Sequence, residues 1–446
     1  MKIDYDVIVI GSGAAAQTIV YELKKQGKSV AIIEKNEWGG TCALRGCVPK
    51  KVLVGAAEVK KRAEDINQKG ISFESFRINW PDLIEFKKTF TDSKPEQFKK
   101  SFQDAGINLY EGTARFTGNH SIKVNDAELV ANNFVIAAGA KPRPLSIPGK
   151  KHVINSKQFL ELHSLPRSIL FIGGGLVSFE FAHIAAQAGS KVTILHRSQQ
   201  PLKQFDTDLV KILIKASKDV GIDVKVNKPV VEVKNKDECF LVITENDEVF
   251  ETDLVVHGAG RVPNIDDLSL KKANIRFSKR GIEVNEYMQN PSNPSIFACG
   301  DAADSNLPLT PVAGAEAKIV LTNLLYGNNK KSDNSVIPSV VFTIPPLAMV
   351  GLSESQAQER KISYTTTFQD TSSWFSSRRI GLNYSGFKIL IDKKNQNIIG
   401  AHLLGHHAEE LINLFTVFIK KEMKVDEIKD FIWAYPTSNY DINYML

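Results

Sequence analysis

Only four cysteines occur in 446 residues. That is too few for a disulfide framework, which excludes a cross-linked secreted scaffold and leads us to expect a reducing, cytoplasmic compartment. No uninterrupted apolar run approaches the ~20 residues that span a bilayer. The chain enters a strand-like run, Val7-Ile8-Val9-Ile10, almost at once, leaving no room for a signal peptide. No membrane partner is expected. Charge of one sign is scarce too: 56 Lys and Arg stand against 50 Asp and Glu, interleaved along the chain, for a formal net charge of +6. Such a balance gives a solvated surface, not a nucleic-acid footprint. Low-complexity segments are absent, and the length allows two or three domains with buried cores.

Against that background one cysteine pair stands out. "WGGTCALRGCVPKK" (38–51) sets Cys42 and Cys47 five positions apart in a segment patterned as a helix. Ideal helical geometry separates such residues by about 8.6 Å between Cα atoms, whereas a disulfide wants roughly 4.4 to 6.8 Å. If the two pair, the helix start must distort, and the bond is easier to reduce than a structural one. Two cysteines make only half a zinc site, and no nearby His or Cys completes it, so no metal site is expected.

The chain opens with "DVIVIGSGAAAQTIVYELKKQG", a buried strand, a glycine turn at Gly11 and Gly13, and an amphipathic helix. The next strand, "SVAIIE", ends at Glu34, and Ala16 takes the third glycine position. Glycines let the backbone approach a pyrophosphate, the helix N-terminus favours its charge, and the acid suits a ribose hydroxyl pair. The pattern recurs in "SILFIGGGLVSFEFAHIAAQAGSKVTILHR", with Gly173 and Gly175 in the turn. Here the strand ends at His196-Arg197, with Lys203 six positions beyond Arg197. A 2′-phosphate repels a carboxylate and attracts cations, so this copy should prefer NADP to NAD. Ser178 replaces the third glycine, which should loosen the helix–strand fit. Two folds with different ribose chemistry imply two nucleotides, FAD in the first and NADPH in the second.

Five further stretches place the sequence in a family. "GGTCALRGCVPKK", "GGGLVSFE", "GAGRVPN" (258–264), "ACGDAAD" with "LTPVAGAEAK" (298–304 and 309–318) and "IPSVVFTIPPLAMVGLSE" (337–354) occur in one order. Together they resemble the flavoprotein disulfide reductases, such as glutathione reductase, dihydrolipoamide dehydrogenase and mercuric reductase. The resemblance implies that Cys42 and Cys47 form a redox-active disulfide. Cys47 would be the charge-transfer thiolate against the flavin and Cys42 the interchange thiol. Lys50 would stand beside the reactive flavin nitrogen, with Glu180 as its ion-pair partner near the nicotinamide. Asp301 would bind the ribityl chain, and Thr310 would open a helix facing the pyrimidine oxygen. The cofactor-binding set is completed by Ala14, Ala15, Gly40, Thr41, Ala114, Gly139, Leu176, Val177 and Gly260. Cys239 and Cys299 read as small buried residues.

The tail departs from the family. Glutathione reductase and dihydrolipoamide dehydrogenase end with a His-Pro and a Glu five residues on, the His acting from the partner subunit as a proton shuttle. "AYPTSNYDINYML" offers Tyr435 and Tyr440 instead, and the last histidine is His407. Tyrosine titrates near 10 and is a poor base at neutral pH, though its hydroxyl can donate a proton. Mercuric reductases carry Tyr there as well, but end in a vicinal cysteine pair that is lacking here. By spacing, the glutathione-contacting Arg and Tyr become Tyr21 and Phe98, while a cation survives as Lys318.

The expected architecture is therefore α/β: two Rossmann-like dinucleotide-binding domains and a C-terminal α+β dimerisation domain. The FAD domain should cover 1–148 and 266–330, the NADPH domain 149–265, and the interface domain 336–446, after the polar linker "YGNNKKSDNS" (326–335). The expected function is an NADPH-dependent FAD oxidoreductase. Its Cys42–Cys47 pair would reduce a small-molecule disulfide or another thiol-reactive acceptor, in a homodimer. A metal-ion or small-oxidant reductase, or a redox sensor without turnover, are the alternatives.

Overall fold

The computed structural model describes residues 3–305, 307–333 and 336–446. Positions 1 and 2, where the expected FAD domain begins, and 334 and 335, which end the expected linker, lie outside the described residues. Two compact units divide the chain. One comprises Met1–Lys50, Phe86–Pro144 and Gly260–Asn334; the other comprises Lys51–Glu85, Leu145–Ala259 and Ser335–Leu446.

The first unit is built on a seven-stranded sheet. Strand Ile3–Ile10 pairs in parallel with Val30–Glu34 on one side and Ala127–Ile136 on the other. Val7 to Ile10 and all of Val30–Glu34 are buried, the near-continuous apolar run expected of a sheet covered on both faces. The helix Ala14–Lys25 buries Ala15, Ala16, Ile19, Val20 and Leu23, one helical stripe. It packs on the helix Thr310–Tyr326, whose Ala317, Ile319 and Val320 join the same core. A two-stranded antiparallel ribbon, Ala140–Pro142 with Arg261–Pro263, carries the chain out of this unit and back.

The second unit holds a five-stranded parallel sheet, ordered Ile222–Lys225, Lys191–Leu195, Ser168–Ile172, Leu254–His257, Val153–Ile154. Its helix Leu176–Gln187 is buried on almost every side, which fits a mostly apolar sequence with no continuous polar face; Ser178, Glu180, His183 and Gln187 are buried with the rest. A three-stranded antiparallel sheet (Val230–Lys236, Cys239–Thr244, Val249–Thr252) adjoins it. The C-terminal part is a five-stranded antiparallel sheet with the helix Ala408–Lys420 packed on its face. Buried Lys388, on strand Gly386–Asp392, ties the C-terminal sheet to the starts of two helices, its Nζ lying 2.8 Å from Asp206, 2.8 Å from Asp208 and 2.6 Å from Glu354. The α/β class expected from the sequence is the one observed. Among the described residues, no helix is long and apolar enough to cross a membrane.

Three local expectations change. The stretch patterned as one helix forms two, Gly40–Arg45 and Cys47–Ile66. Gly46 breaks them with φ −142° and ψ −115°, and a Cβ there would stand 2.9 Å from the Thr41 carbonyl oxygen. Ser178 does not loosen its helix–strand contact, because Gly258 lies opposite: a Cβ on Gly258 would fall 1.8 Å from the Ser178 hydroxyl. The missing side chain has moved from the helix to the strand end. Finally, Cys299 is buried as expected, whereas Cys239 is half-exposed at the start of its strand, its thiol 3.4 Å from the Lys236 carbonyl.

Candidate active site

In the first unit the helix break brings the two cysteines together. Cys42 lies on the short helix and Cys47 opens the long one, so Gly46 turns the chain between them. Cys42 is half-buried and Cys47 exposed. The Cys42 thiol is pushed well above its ordinary range, first by its hydrogen bond to Cys47 and then by burial, with the Thr310 hydroxyl acting in the opposite sense. Cys47 Sγ is 3.6 Å from Thr310 Oγ1. Thr310 is the first residue of a 17-residue helix whose N-cap, Leu309, contributes no side-chain cap. The sulfur pair thus faces the positive end of a helix dipole, which favours negative charge there.

Arg261 and Asp301 belong to the same neighbourhood. Burial lowers the Arg261 guanidinium from its ordinary value, while Asp301 and Cys47 pull it the other way. Burial raises Asp301, and Arg261 opposes that. Lys50 is buried on the long helix, one turn past Cys47. Thr41 is exposed and Gly40 buried on the short helix. Ala114 is buried at the start of strand Ala114–Gly118. Gly139 and Gly260 flank the ribbon, their carbonyls accepting from Asn264 N at 2.9 Å and Arg143 N at 3.0 Å.

The first fingerprint fits a dinucleotide. Gly11 has φ +104°, and a Cβ there would meet the Ala137 carbonyl oxygen at 2.3 Å. Gly13 caps its helix without a side chain, so the N–H groups of Ala14 and Ala15 are left for an anionic ligand. Glu34 is held by Ser12, whose backbone N–H and hydroxyl donate to Oε2 at 3.1 and 2.6 Å, and by Asn36 N, which donates to Oε1 at 2.8 Å. In the second unit Gly173 has φ +103°, and Gly175 caps its helix as Gly13 does, leaving Leu176 and Val177 at the open end. Arg197 and Lys203 are both exposed on the loop after strand Lys191–Leu195. Neither makes an ion pair among the described residues. Both donor sets suit nucleotides.

Glu180 is buried, its Oε1 accepting from Phe342 N at 3.0 Å. One turn on, His183 Nδ1 accepts from Ile344 N at 3.3 Å; burial pulls this ring down to about 3. Tyr435 is 71% exposed. Its ring lies 4.9 Å from that of Tyr440, which is 5.8 Å from Tyr444. These three line a cavity of about 470 Å³ with Trp374, Phe375 and Arg379. Tyr21 and Phe98 serve packing in the first unit: Tyr21 stacks on Phe102 at 5.4 Å, and Phe98 covers Gly39. Lys318 is exposed. Sequence reasoning missed Gly46, Arg261 and the ring of His196. All three were visible as letters inside quoted motifs, but their roles depend on contacts that no spacing rule reveals.

Comparisons with known proteins bear on the family and the fold. The profile of the pyridine nucleotide-disulphide oxidoreductases matches residues 5–317, and that of their dimerisation domain residues 337–445. A glutathione reductase of Burkholderia cepacia is 31% identical over 440 residues, covering 98% of this chain and 97% of that protein. A mercuric reductase of Lysinibacillus sphaericus is 30% identical, covering 97% of this chain and 80% of its own. The solved Cu(II) complex of the HOCl-induced flavoprotein disulfide reductase RclA from Escherichia coli superposes with a TM-score of 0.90. It shows 27% identity and covers 100% of this chain and 99% of that one.

Proposed function

The chain belongs to the pyridine nucleotide-disulphide oxidoreductases, which work with FAD and a nicotinamide nucleotide, and from that premise we propose that it is an NADPH-dependent reductase of a small thiol-reactive acceptor. The observation that carries this reading is the Cys42/Cys47 pair beside Thr310, at the open end of a helix in the unit that holds the first fingerprint. FAD, when bound, supplies the two-electron exchange with NADPH. The protein's own part lies in the sulfurs. For a disulfide acceptor, Cys42 attacks one acceptor sulfur and the first thiol leaves. Cys47 then attacks Cys42, the second thiol leaves, and the Cys42–Cys47 bond closes. Two electrons and two protons pass outward. Thr310 and its helix end stabilise the thiolate that attacks. Lys50 and Glu180 are assigned to the flavin–nicotinamide contact, and Tyr435 to delivering or holding a proton.

We place the flavin domain at 1–148 and 266–330, the NADPH domain at 149–265 and the dimer-forming domain at 336–446, in a cytoplasmic homodimer. Arg197 and Lys203 support NADPH as the donor.

A second reading has a specific basis. The tail carries Tyr435 and Tyr440 where glutathione reductase carries its His and Glu, so acceptors whose reduction needs no protonated leaving thiol suit this site better. Among the similar proteins are mercuric reductases and RclA, the latter solved with Cu(II). A soft metal ion taking electrons from the dithiol is therefore the favoured acceptor class, ahead of glutathione disulfide.

Cys42→Ser decides the sulfur assignment. It should leave flavin reduction by NADPH within about threefold of wild type and lower turnover with disulfides, Cu(II) and Hg(II) by more than about 100-fold. Undiminished turnover removes Cys42 from the reaction.

A further inference from the structure

We infer that His196 is a positioning residue for the 2′-phosphate loop: its neutral ring ties the second glycine turn to residues 197–203 and so fixes Arg197 and Lys203 where a 2′-phosphate meets them. This rests on the NADPH reading above and adds to it a residue that the strand-end rule does not assign.

The two nucleotide folds contain the same bond made by different chemistry. In the first, the backbone N–H of Ser12, between the turn glycines, donates to Glu34, 22 positions on, at 3.1 Å. In the second, the backbone N–H of Gly174, likewise between its turn glycines, donates to His196 Nδ1, also 22 positions on, at 3.0 Å. His196 is thus the counterpart of Glu34. Its partners fix the tautomer. A backbone N–H can only donate, so Nδ1 carries no proton; a carbonyl can only accept, so Nε2 carries one and gives it to Gln200 O at 3.0 Å. The Ser198 hydroxyl closes on Nε2 at 2.9 Å. The ring has no charge to oppose an incoming dianion, where a carboxylate would.

The loop is fastened to this ring and to the same glycine. Leu202 N donates to Gly174 O at 2.9 Å, and Asn227 N donates to Ser198 O at 3.3 Å. The backbone of His196 is itself locked, its N–H donating to Lys225 O and its carbonyl accepting from Lys228 N, each at 2.8 Å. Arg197 and Lys203 project from the two ends of the segment, near enough for both charges to act on the ring. Long exposed cations lose much entropy on gripping a ligand. A pinned backbone spares the loop's own share of that loss.

The test is calorimetric binding of 2′,5′-ADP and 5′-AMP to the flavin-loaded enzyme, which reads the 2′-phosphate contact without turnover. The wild type should prefer 2′,5′-ADP by more than about tenfold. His196→Leu should cut that preference by about fivefold, with 5′-AMP binding unchanged. His196→Asn, whose carbonyl can still accept from Gly174 N–H, should recover most of it. A Leu variant that keeps the full preference, or that weakens both probes alike, overturns the inference. Should the Leu variant fail to hold flavin, Gly174→Ala takes its place, since the added methyl would press on the loop at Pro201 Cβ, 2.8 Å away, and on the ring at His196 Cγ, 3.0 Å away. It too must lose preference without losing 5′-AMP, and an unchanged ratio overturns the inference. A wild-type ratio near one instead rejects the NADPH reading itself.

Discussion

The first and second nucleotide folds solve one mechanical problem in the same way and then part at the strand end. Both turns carry a glycine with φ near +100° pressed against the backbone that follows a neighbouring strand, Gly11 on Ala137 and Gly173 on Gly258 and Ala259. Both helices start uncapped at a glycine. Beyond that the folds differ: Glu34 is a carboxylate locked by three donors, whereas the second fold offers a neutral ring flanked by two exposed cations. Backbone geometry admits a dinucleotide, and the strand-end side chains select which one.

The sharpest way to break this comparison is to damage each turn in turn. Gly11→Ala would force a methyl to 2.3 Å from a carbonyl oxygen at a positive φ, a local cost of roughly 2–4 kcal/mol. It should yield protein purified without flavin. Gly173→Ala, with its Cβ 2.7 Å from the Gly258 carbonyl, should keep flavin and lose reduction by NADPH. Absorbance at 450 nm, before and after anaerobic NADPH, separates the two. Loss of flavin in both variants would mean that the folds do not act separately.

What the sequence made legible was whatever repeats locally. Glycine turn, amphipathic helix and strand-end acid sit within one contiguous stretch, so period and spacing expose them. What stayed hidden depends on distant partners. Ser178 reads as a flaw until Gly258, 80 positions away, is seen opposite it. His196 reads as the missing acid until its bond to Gly174 gives it the same place as Glu34. Gly46 reads as one letter of a helix until the Thr41 carbonyl shows that no side chain fits. Cys42 and Cys47 were found by spacing, but their tie to Thr310, 263 positions from Cys47, was not derivable from it.

A milder perturbation sharpens the strand-end contrast. Arg197→Glu replaces an exposed cation by an acid beside the proposed phosphate position. It should weaken NADPH by about 10- to 100-fold and change NADH by less than about threefold, read as the concentration dependence of flavin reduction. Equal effects on the two nucleotides would show that no 2′-phosphate is met there, and the two folds would then differ in sequence without differing in selectivity.

The smallest effects should come from two buried hydroxyls, and they should differ in sign. Ser12 Oγ donates to Glu34 at 2.6 Å and accepts from Gly39 N at 3.0 Å. Ser12→Ala therefore orphans the buried Gly39 N–H and removes one of the two donors to Glu34 Oε2, costing about 1–3 kcal/mol. Ser178 is equally buried, yet its hydroxyl has no hydrogen-bond partner among the described residues. Removing an unsatisfied buried polar group while keeping Cβ should leave stability unchanged or raise it by up to about 1 kcal/mol. Denaturant unfolding of the flavin-loaded enzyme measures both. If Ser178→Ala destabilises as Ser12→Ala does, the hydroxyl has a partner in the working protein, and the second fold is as fully hydrogen-bonded at its turn as the first.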